Sequence, residues 1–310
     1  MHRVLLTCPP MIGLVDRFQE AFAAAGLDIV VPDFTQIVPE ARLIDMVPEY
    51  DGWIIGDDPA TRAVFTAGVQ GRLKAAVKWG VGTDNVDFAA CRDLGLPITN
   101  TPDVFGREVA DLAMHYLLAL ARETYAIDAG IRAGGWPKPS GISLWNKRAG
   151  VVGFGDIGRN TAKRMLAHDL EVVVFDPFVD AAALPEGVSL RDWPNVEDLD
   201  FLMFTAPLTP ETHHMFDEEV LALVKPGLRL INVGRGPVVA QTAVVAGLES
   251  GRIHSTALDV FEIEPLAPDN PLRAYGSRCL FGSHNGSNTQ DAVTAVSHKA
   301  VKLLAGFLTP

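Results

Sequence analysis

The chain has 310 residues, 48% of them hydrophobic, a length beyond what one core usually holds, so two folded domains are expected and disorder is excluded. A formal net charge of −12 and a pI near 5.1 argue against nucleic acid or an anionic membrane surface as partner. Three scattered cysteines, Cys8, Cys91 and Cys279, give neither a disulfide framework nor metal-ligand spacing, so no metal is expected, and the absence of a leader-like or membrane-length apolar run points to a cytoplasmic protein.

Residues 3–7 read as a short buried strand, followed by a turn at Pro9-Pro10. Residues 18–25 have helical character and stop at Gly26, a suitable C-cap. Residues 28–31, 52–56 and 75–79 are further apolar runs bounded by turn residues. Strands separated by helical stretches suggest a parallel α/β arrangement, and this first unit closes near Ile98, before the turn signal Asn100-Thr101-Pro102. The spacing of Val109, Leu112, Ala113, Tyr116, Leu117 and Leu120 then predicts one long helix over 106–132, stopped by Gly134-Gly135 and Pro137. A connector rich in breakers and tryptophan runs over 139–148. From Ala149 the pattern is regular: a strand, a helix, a second strand ending at Asp176, then strands near 201–205, 228–233, 256–260 and 279–281. That is the alternation of a doubly wound sheet. A final helix over 289–307 ends the chain.

The strongest single feature is Gly153-Phe154-Gly155-Asp156-Ile157-Gly158, which follows a predicted strand and opens a predicted helix. In that setting the glycines permit a tight turn, close approach of backbone to a pyrophosphate, and close helix–strand packing. Asp176 ends the next strand, where a carboxylate can accept from both ribose hydroxyls and repel a 2′-phosphate, so NAD is favoured over NADP.

Hydride transfer to a 2-keto acid requires a group to hold the carboxylate, one to polarise the carbonyl and an acid to protonate the forming alkoxide. A guanidinium suits the first two, a histidine the third, and a carboxylate beside the histidine would orient it. Arg235 in Ile231-Asn232-Val233-Gly234-Arg235-Gly236, Glu264 in Asp259-Val260-Phe261-Glu262-Ile263-Glu264-Pro265 and His284 in Gly282-Ser283-His284-Asn285-Gly286-Ser287 each follow a predicted strand, the end where open α/β sheets bind ligands. Singly each reads as an ordinary loop charge; together on this pattern they form a candidate set. The remaining histidines, His2, His115, His168, His213, His214, His254 and His298, read as structural.

These stretches, with Gly80-Val81-Gly82-Thr83-Asp84-Asn85-Val86-Asp87 and Ala206-Pro207-Leu208-Thr209-Pro210-Glu211-Thr212, resemble the D-isomer-specific 2-hydroxyacid dehydrogenase family, which includes D-3-phosphoglycerate dehydrogenases and glyoxylate or hydroxypyruvate reductases. The resemblance runs from about residue 73 to the C-terminus and more loosely over the first 70 residues. It implies an α/β fold of two doubly wound parallel-sheet domains. A Rossmann NAD-binding domain (99–285) is inserted in a discontinuous flavodoxin-like substrate domain (1–98 plus 286–310). It implies Arg235 as binder of the substrate carboxylate and carbonyl, Glu264 as partner of the histidine and His284 as acid/base, with the Val81 and Gly82 amides helping to hold the carboxylate. Cofactor contacts are implied for Gly153, Gly155, Asp156, Ile157, Gly158, Asp176, Thr205, Ala206, Pro207, Val233, Gly234, Arg235, Asp259, His284 and Gly286. A homodimer through the nucleotide-binding domain would employ the segment around residues 125–145.

Departures bear on the substrate. Where phosphoglycerate enzymes of that family place a basic residue after the third N-terminal strand, this chain has Gly56-Asp57-Asp58, and two acids repel a phosphate. Arg62, Lys74 and Lys78 are the nearby cations, with nothing in the sequence to fix their direction. Val109-Ala110-Asp111 and Ser283-His284-Asn285 also differ from the commoner pattern. The expected activity is NAD-linked interconversion of a D-2-hydroxy acid and its 2-keto acid. A non-catalytic NAD(H)-sensing protein like the corepressors built on this fold, and an NAD enzyme acting on phosphite, are the alternatives.

Overall fold

The computed structural model describes residues 1–102 and 104–309. The chain divides into two compact units, Met1–Val104 with Asn288–Pro310, and Phe105–Ser287. The joins fall a few residues beyond the expected 98/99 boundary, read from a turn signal, and the 285/286 boundary, implied by the resemblance.

In the first unit β1 (His2–Leu6), β2 (Leu27–Val30), β3 (Gly52–Ile55), β4 (Ala75–Lys78) and β5 (Ile98–Asn100) form a five-stranded parallel sheet in the order β2-β1-β3-β4-β5, the flavodoxin-like arrangement. β3 and β4 are buried at every position, as central parallel strands covered on both faces must be. One face packs Trp53, Phe65, Val64 and Leu43 into a single apolar cluster. The other receives the last helix, Gln290–Leu308. It approaches so closely at Gly52 that a Cβ there would lie 3.2 Å from the Leu304 and Leu308 methyls, and Trp79 Nε1 donates to Ser297 Oγ at 3.2 Å. Pro9–Ile12, expected as a turn, is a short helix, since proline fits the first helical positions where no N–H is needed.

The second unit contains β6 (Arg148–Val152), β7 (Glu171–Phe175), β8 (Val188–Leu190), β9 (Phe201–Phe204), β10 (Leu228–Asn232), β11 (Ile253–Leu258) and β12 (Cys279–Phe281), all parallel, in the order β12-β11-β10-β9-β6-β7-β8. This is the dinucleotide-binding order with one strand added at the edge. β8 escaped the sequence reading because it is a three-residue edge strand with no fully buried position. The core beside β9 is aromatic: Phe204 meets Phe216 and Trp193 edge-on at 5.9 and 6.0 Å.

The single helix expected over 106–132 is two, Gly106–Arg122 and Thr124–Arg132, separated by Glu123 at φ +52°. Carbonyls that a continuing helix would have used are taken by distant donors instead: Arg229 Nε bonds Leu120 O at 3.1 Å and Ile142 N bonds Ala121 O at 2.8 Å. The apolar stripe ends there, and the second helix buries none of its residues. No helix among the described residues is long and apolar enough to cross a membrane.

Candidate active site

β6 and β9 are neighbours at the point where the strand order reverses, the place where such sheets bind their ligand. The glycine turn follows β6. Gly153 has φ +88°, and a Cβ on it would stand 2.8 Å from the Ala206 backbone; one on Gly158 would stand 2.1 Å from Gly153 O. A Cβ on Gly155 would meet nothing within 4 Å. The first and third glycines are therefore demanded by packing, while the second leaves open space where backbone can approach a pyrophosphate. Thr205 Oγ1, just past β9, closes the turn by donating to Val152 O (3.1 Å) and Gly153 O (2.7 Å). Asp156 and Ile157 begin the helix Asp156–Leu166, whose N-terminus presents its unpaired amides at the turn.

Asp176, just past β7, accepts the Phe154 amide of the turn at 2.7 Å with Oδ2 and the Phe178 amide at 2.9 Å with Oδ1. Each oxygen keeps acceptor capacity for a ribose hydroxyl. The Ala206-Pro207 and Val233-Gly234 segments lie against each other: Val233 N bonds Phe204 O at 3.1 Å, and a Cβ on Gly234 would be 2.8 Å from Ala206 O. An open glycine, a closed turn behind it and a carboxylate fixed at its rim fit an NAD adenosine and pyrophosphate.

The second cluster lies on β10, β11 and β12, which are adjacent and end in register, with Asn232 opposite Leu258 and Leu258 opposite Phe281. The loops carrying Arg235, Glu264 and His284 thus leave one edge of one sheet. Asn232, buried at the end of β10, shapes the first loop by accepting the Gly234 amide (3.0 Å) and donating to Arg235 O (2.9 Å). The half-buried Arg235 guanidinium donates to Gly234 O at 3.0 Å. Glu264 Oε1 accepts the Phe261 amide at 2.9 Å, and Oε2 lies 2.8 Å from His284 Nδ1. A carboxylate can only accept, so Nδ1 carries the proton in this contact.

His284 has φ +55°, and Asp259 holds it there. The Asp259 carbonyl accepts the His284 amide at 2.7 Å, and its buried carboxylate accepts the amides of Asn285 (3.2 Å) and Gly286 (2.9 Å) and the Tyr116 hydroxyl (3.1 Å). Tyr116 entered the sequence reading only as one residue of an apolar stripe. The signal that could have marked it is chemical: a phenol in a buried stripe must find a hydrogen-bond partner.

Val81 and Gly82 belong to the first unit, just past β4, where Asn100 Nδ2 donates to Val81 O at 3.0 Å and Thr101 Oγ1 accepts the Gly80 amide at 2.8 Å. Of the other histidines, His213 and His214 stack at 4.0 Å with His214 Nε2 3.1 Å from Glu262, and burial pushes His254 down. All three cysteines are buried, and burial pushes the Cys279 thiol up to about 11, which leaves no reactive thiolate there.

Residues 114–286 match the family described as D-isomer specific 2-hydroxyacid dehydrogenase, NAD binding domain. The chain is 35% identical over 324 residues to the D-3-phosphoglycerate dehydrogenase of Methanocaldococcus jannaschii and 32% identical over 309 residues to that of Mycobacterium leprae, covering 99% and 97% of this chain. It spans 58% of the length of each of those relatives. Among solved structures it resembles the TT0316 protein of Thermus thermophilus, at 31% identity with a TM-score of 0.86 over 99% of this chain and 96% of that one. The Aquifex aeolicus D-lactate dehydrogenase complexed with NAD and lactic acid shares the fold, with a TM-score of 0.85 at 24% identity over 99% of this chain and 95% of that one. With a match over more than half its length, falling on the unit that holds the glycine turn and the three strand-end loops, the chain belongs to the D-isomer specific 2-hydroxyacid dehydrogenase family, whose cofactor is NAD.

Proposed function

We propose that this protein interconverts a small D-2-hydroxy acid and its 2-keto acid by NAD-linked hydride transfer. The observation that carries the reading is the 2.8 Å contact of His284 Nδ1 with Glu264, on loops that leave the same sheet edge as the Arg235 loop. In the reducing direction the Arg235 guanidinium binds the carboxylate and polarises the keto oxygen, and His284 delivers a proton from Nε2 to the forming alkoxide. Glu264 keeps the ring in the required tautomer and stabilises it while charged. In the oxidising direction the same nitrogen takes the hydroxyl proton. When bound, the nicotinamide supplies or accepts the hydride.

Gly153, Gly155, Asp156, Ile157 and Gly158 would cradle the pyrophosphate, Asp176 the ribose, and Thr205, Ala206, Pro207, Val233 and Gly234 would line the groove between the strand ends. Asp259 and Gly286 would frame its nicotinamide end. The protein works as a cytoplasmic homodimer in this reading. Tyr125, Ile131, Trp136 and Trp145 support the dimer, being large apolar side chains exposed in one stretch of the nucleotide-binding unit.

The test follows NADH absorbance with glyoxylate, pyruvate, hydroxypyruvate and 3-phosphohydroxypyruvate. Turnover of at least one, abolished in His284→Ala with NADH binding retained, is the expected result. Tight NADH binding with no turnover of any keto acid would sink the enzyme reading and favour a sensor.

A further inference from the structure

The loop that carries His284 lies against a helix of its own unit. Val109 and Tyr116 are both buried on the helix Gly106–Arg122, two turns apart on one face. Val109 reaches the end of the loop, since a Cβ on Gly286 would lie 3.4 Å from its Cγ2 methyl. Tyr116 reaches the start, since a Cβ on Gly282 would stand 2.4 Å from the phenol oxygen and 2.0 Å from Asp259 Oδ1. The two glycines thus let the chain wrap closely around the Asp259 carboxylate. Between them His284 sits at φ +55°, a conformation few non-glycine residues adopt unless their surroundings hold it.

Asp259 holds the loop, and Tyr116 holds Asp259. The buried carboxylate accepts the Asn285 amide (3.2 Å) and the Tyr116 hydroxyl (3.1 Å) with Oδ1, and the Gly286 amide (2.9 Å) with Oδ2. Two of these donors belong to the loop being positioned. The phenol comes from a different element, so it is the one of the three that ties the carboxylate to the body of the unit. A carboxylate can only accept, so the phenol donates. Burial and the negative charge of Asp259 push the phenol pKa up, which keeps the hydroxyl a donor at any working pH. The Arg235 loop is shaped separately, by the Asn232 side chain.

We propose that Tyr116 is a positioning residue for the acid/base: acting through Asp259, its hydroxyl fixes the backbone of the His284 loop and so the direction in which the imidazole is presented. The inference rests on the proposed keto acid reduction with His284 as proton donor. Tyr116→Phe keeps the buried ring and removes only the donor. With a keto acid that the wild-type protein turns over, kcat is expected to fall about tenfold, the scale of one hydrogen bond to a charged group. KM for the keto acid should stay within about threefold, because the Arg235 loop is not built on the Asp259 carboxylate. The Kd for ADP-ribose, which has the adenosine and pyrophosphate but no nicotinamide, should be unchanged, and Tm should hold to within a few degrees. In an Asp259→Asn background the same substitution should cost much less, since the anion that the phenol serves is gone.

A Tyr116→Phe protein with the kcat of wild type would overturn the proposal. So would a kcat loss matched by an equal loss of ADP-ribose binding, or a variant that does not fold, since the hydroxyl would then serve the unit as a whole. A full kcat loss that persists in the Asp259→Asn background would assign the phenol to another partner; if that background is too slow to measure, the single variant decides. Failure of the wild-type protein, with NADH bound, to turn over glyoxylate, pyruvate, hydroxypyruvate or 3-phosphohydroxypyruvate would instead overturn the reaction reading and take this inference with it.

Discussion

The carboxylate of Asp176 accepts the amide of Phe154 at 2.7 Å, so the residue proposed to read the ribose also braces the glycine turn that receives the pyrophosphate. Asp176→Ala removes both effects. NADH affinity is expected to fall, and the ratio of kcat/KM for NADH over NADPH to narrow by about tenfold, the scale of one lost charge repulsion. Asp176→Asn keeps an acceptor for one of the two amides but no charge, so it should narrow the ratio while preserving more NADH affinity. An unchanged NADH/NADPH ratio in both variants would remove the proposed role of Asp176.

Glu264 spends one oxygen on the Phe261 amide and the other on His284. Glu264→Gln can satisfy one of these bonds with its carbonyl, yet its amide nitrogen cannot accept the second. The proton on Nδ1 is then less firmly placed, and the charge that stabilises an imidazolium is gone. A kcat loss of about ten- to a hundredfold with little change in KM for the keto acid is expected, against a hundredfold or more for His284→Ala. A Glu264→Gln enzyme of full kcat would mean that the contact is structural.

The glycine turn and the strand-end loops were legible in the sequence because each is a local pattern: a fixed spacing of glycines after a buried run, or a charged residue a few positions beyond one. The parallel sheets were legible for the same reason, as apolar runs alternating with helical stretches. What escaped depends on partners distant along the chain. The break at Glu123 follows from Arg229 and Ile142 reaching the carbonyls of Leu120 and Ala121. The partner of Tyr116 is Asp259, 143 residues away, and that of Lys78 is Asp57, 21 residues away. No periodicity encodes such pairings; only the requirement that a buried polar group find a partner hints that they exist.

Asp198 predicts an acid-sensitive step in stability. Hydrogen bonds from Arg191, at 2.7 and 3.1 Å, and the charge of Arg148 lower its carboxyl to about 2. A folded-state value below the unfolded one adds stability that is fully present above about pH 4 and is lost as pH falls through about 2. Asp198 is 44% exposed, so the screened contribution is about 1 kcal/mol or less. The difference in denaturation midpoint between wild type and Asp198→Asn should therefore be largest near neutral pH and close up as the pH falls from 4 to 2. A difference independent of pH would show that the lost contact is not ionic.

Trp136 and Trp145, 77% and 67% exposed, test the proposed dimer. Trp136→Arg places a charge in the centre of that stretch, where desolvating it would cost several kcal/mol in a packed interface. Light scattering is expected to report twice the chain mass for the wild-type protein and the chain mass for the variant. A wild-type monomer, or a variant that still dimerises, would assign those tryptophans to something else.

Two glycines of the turn, Gly155 and Gly158, should separate folding from cofactor binding. Gly158→Ala forces a methyl to within 2.1 Å of Gly153 O, a backbone atom that cannot move aside, so a lower Tm and weakened NADH binding are expected together. Gly155→Ala meets nothing within 4 Å, so the apo protein should keep its Tm to within a few degrees. If the open space beside Gly155 is where the pyrophosphate approaches, the same methyl should raise the Kd for NADH about tenfold or more, as a clash that exists only in the complex. A Gly155→Ala protein that binds NADH as tightly as wild type would place the pyrophosphate elsewhere, and the whole orientation of the nicotinamide toward Arg235 and His284 would have to be redrawn.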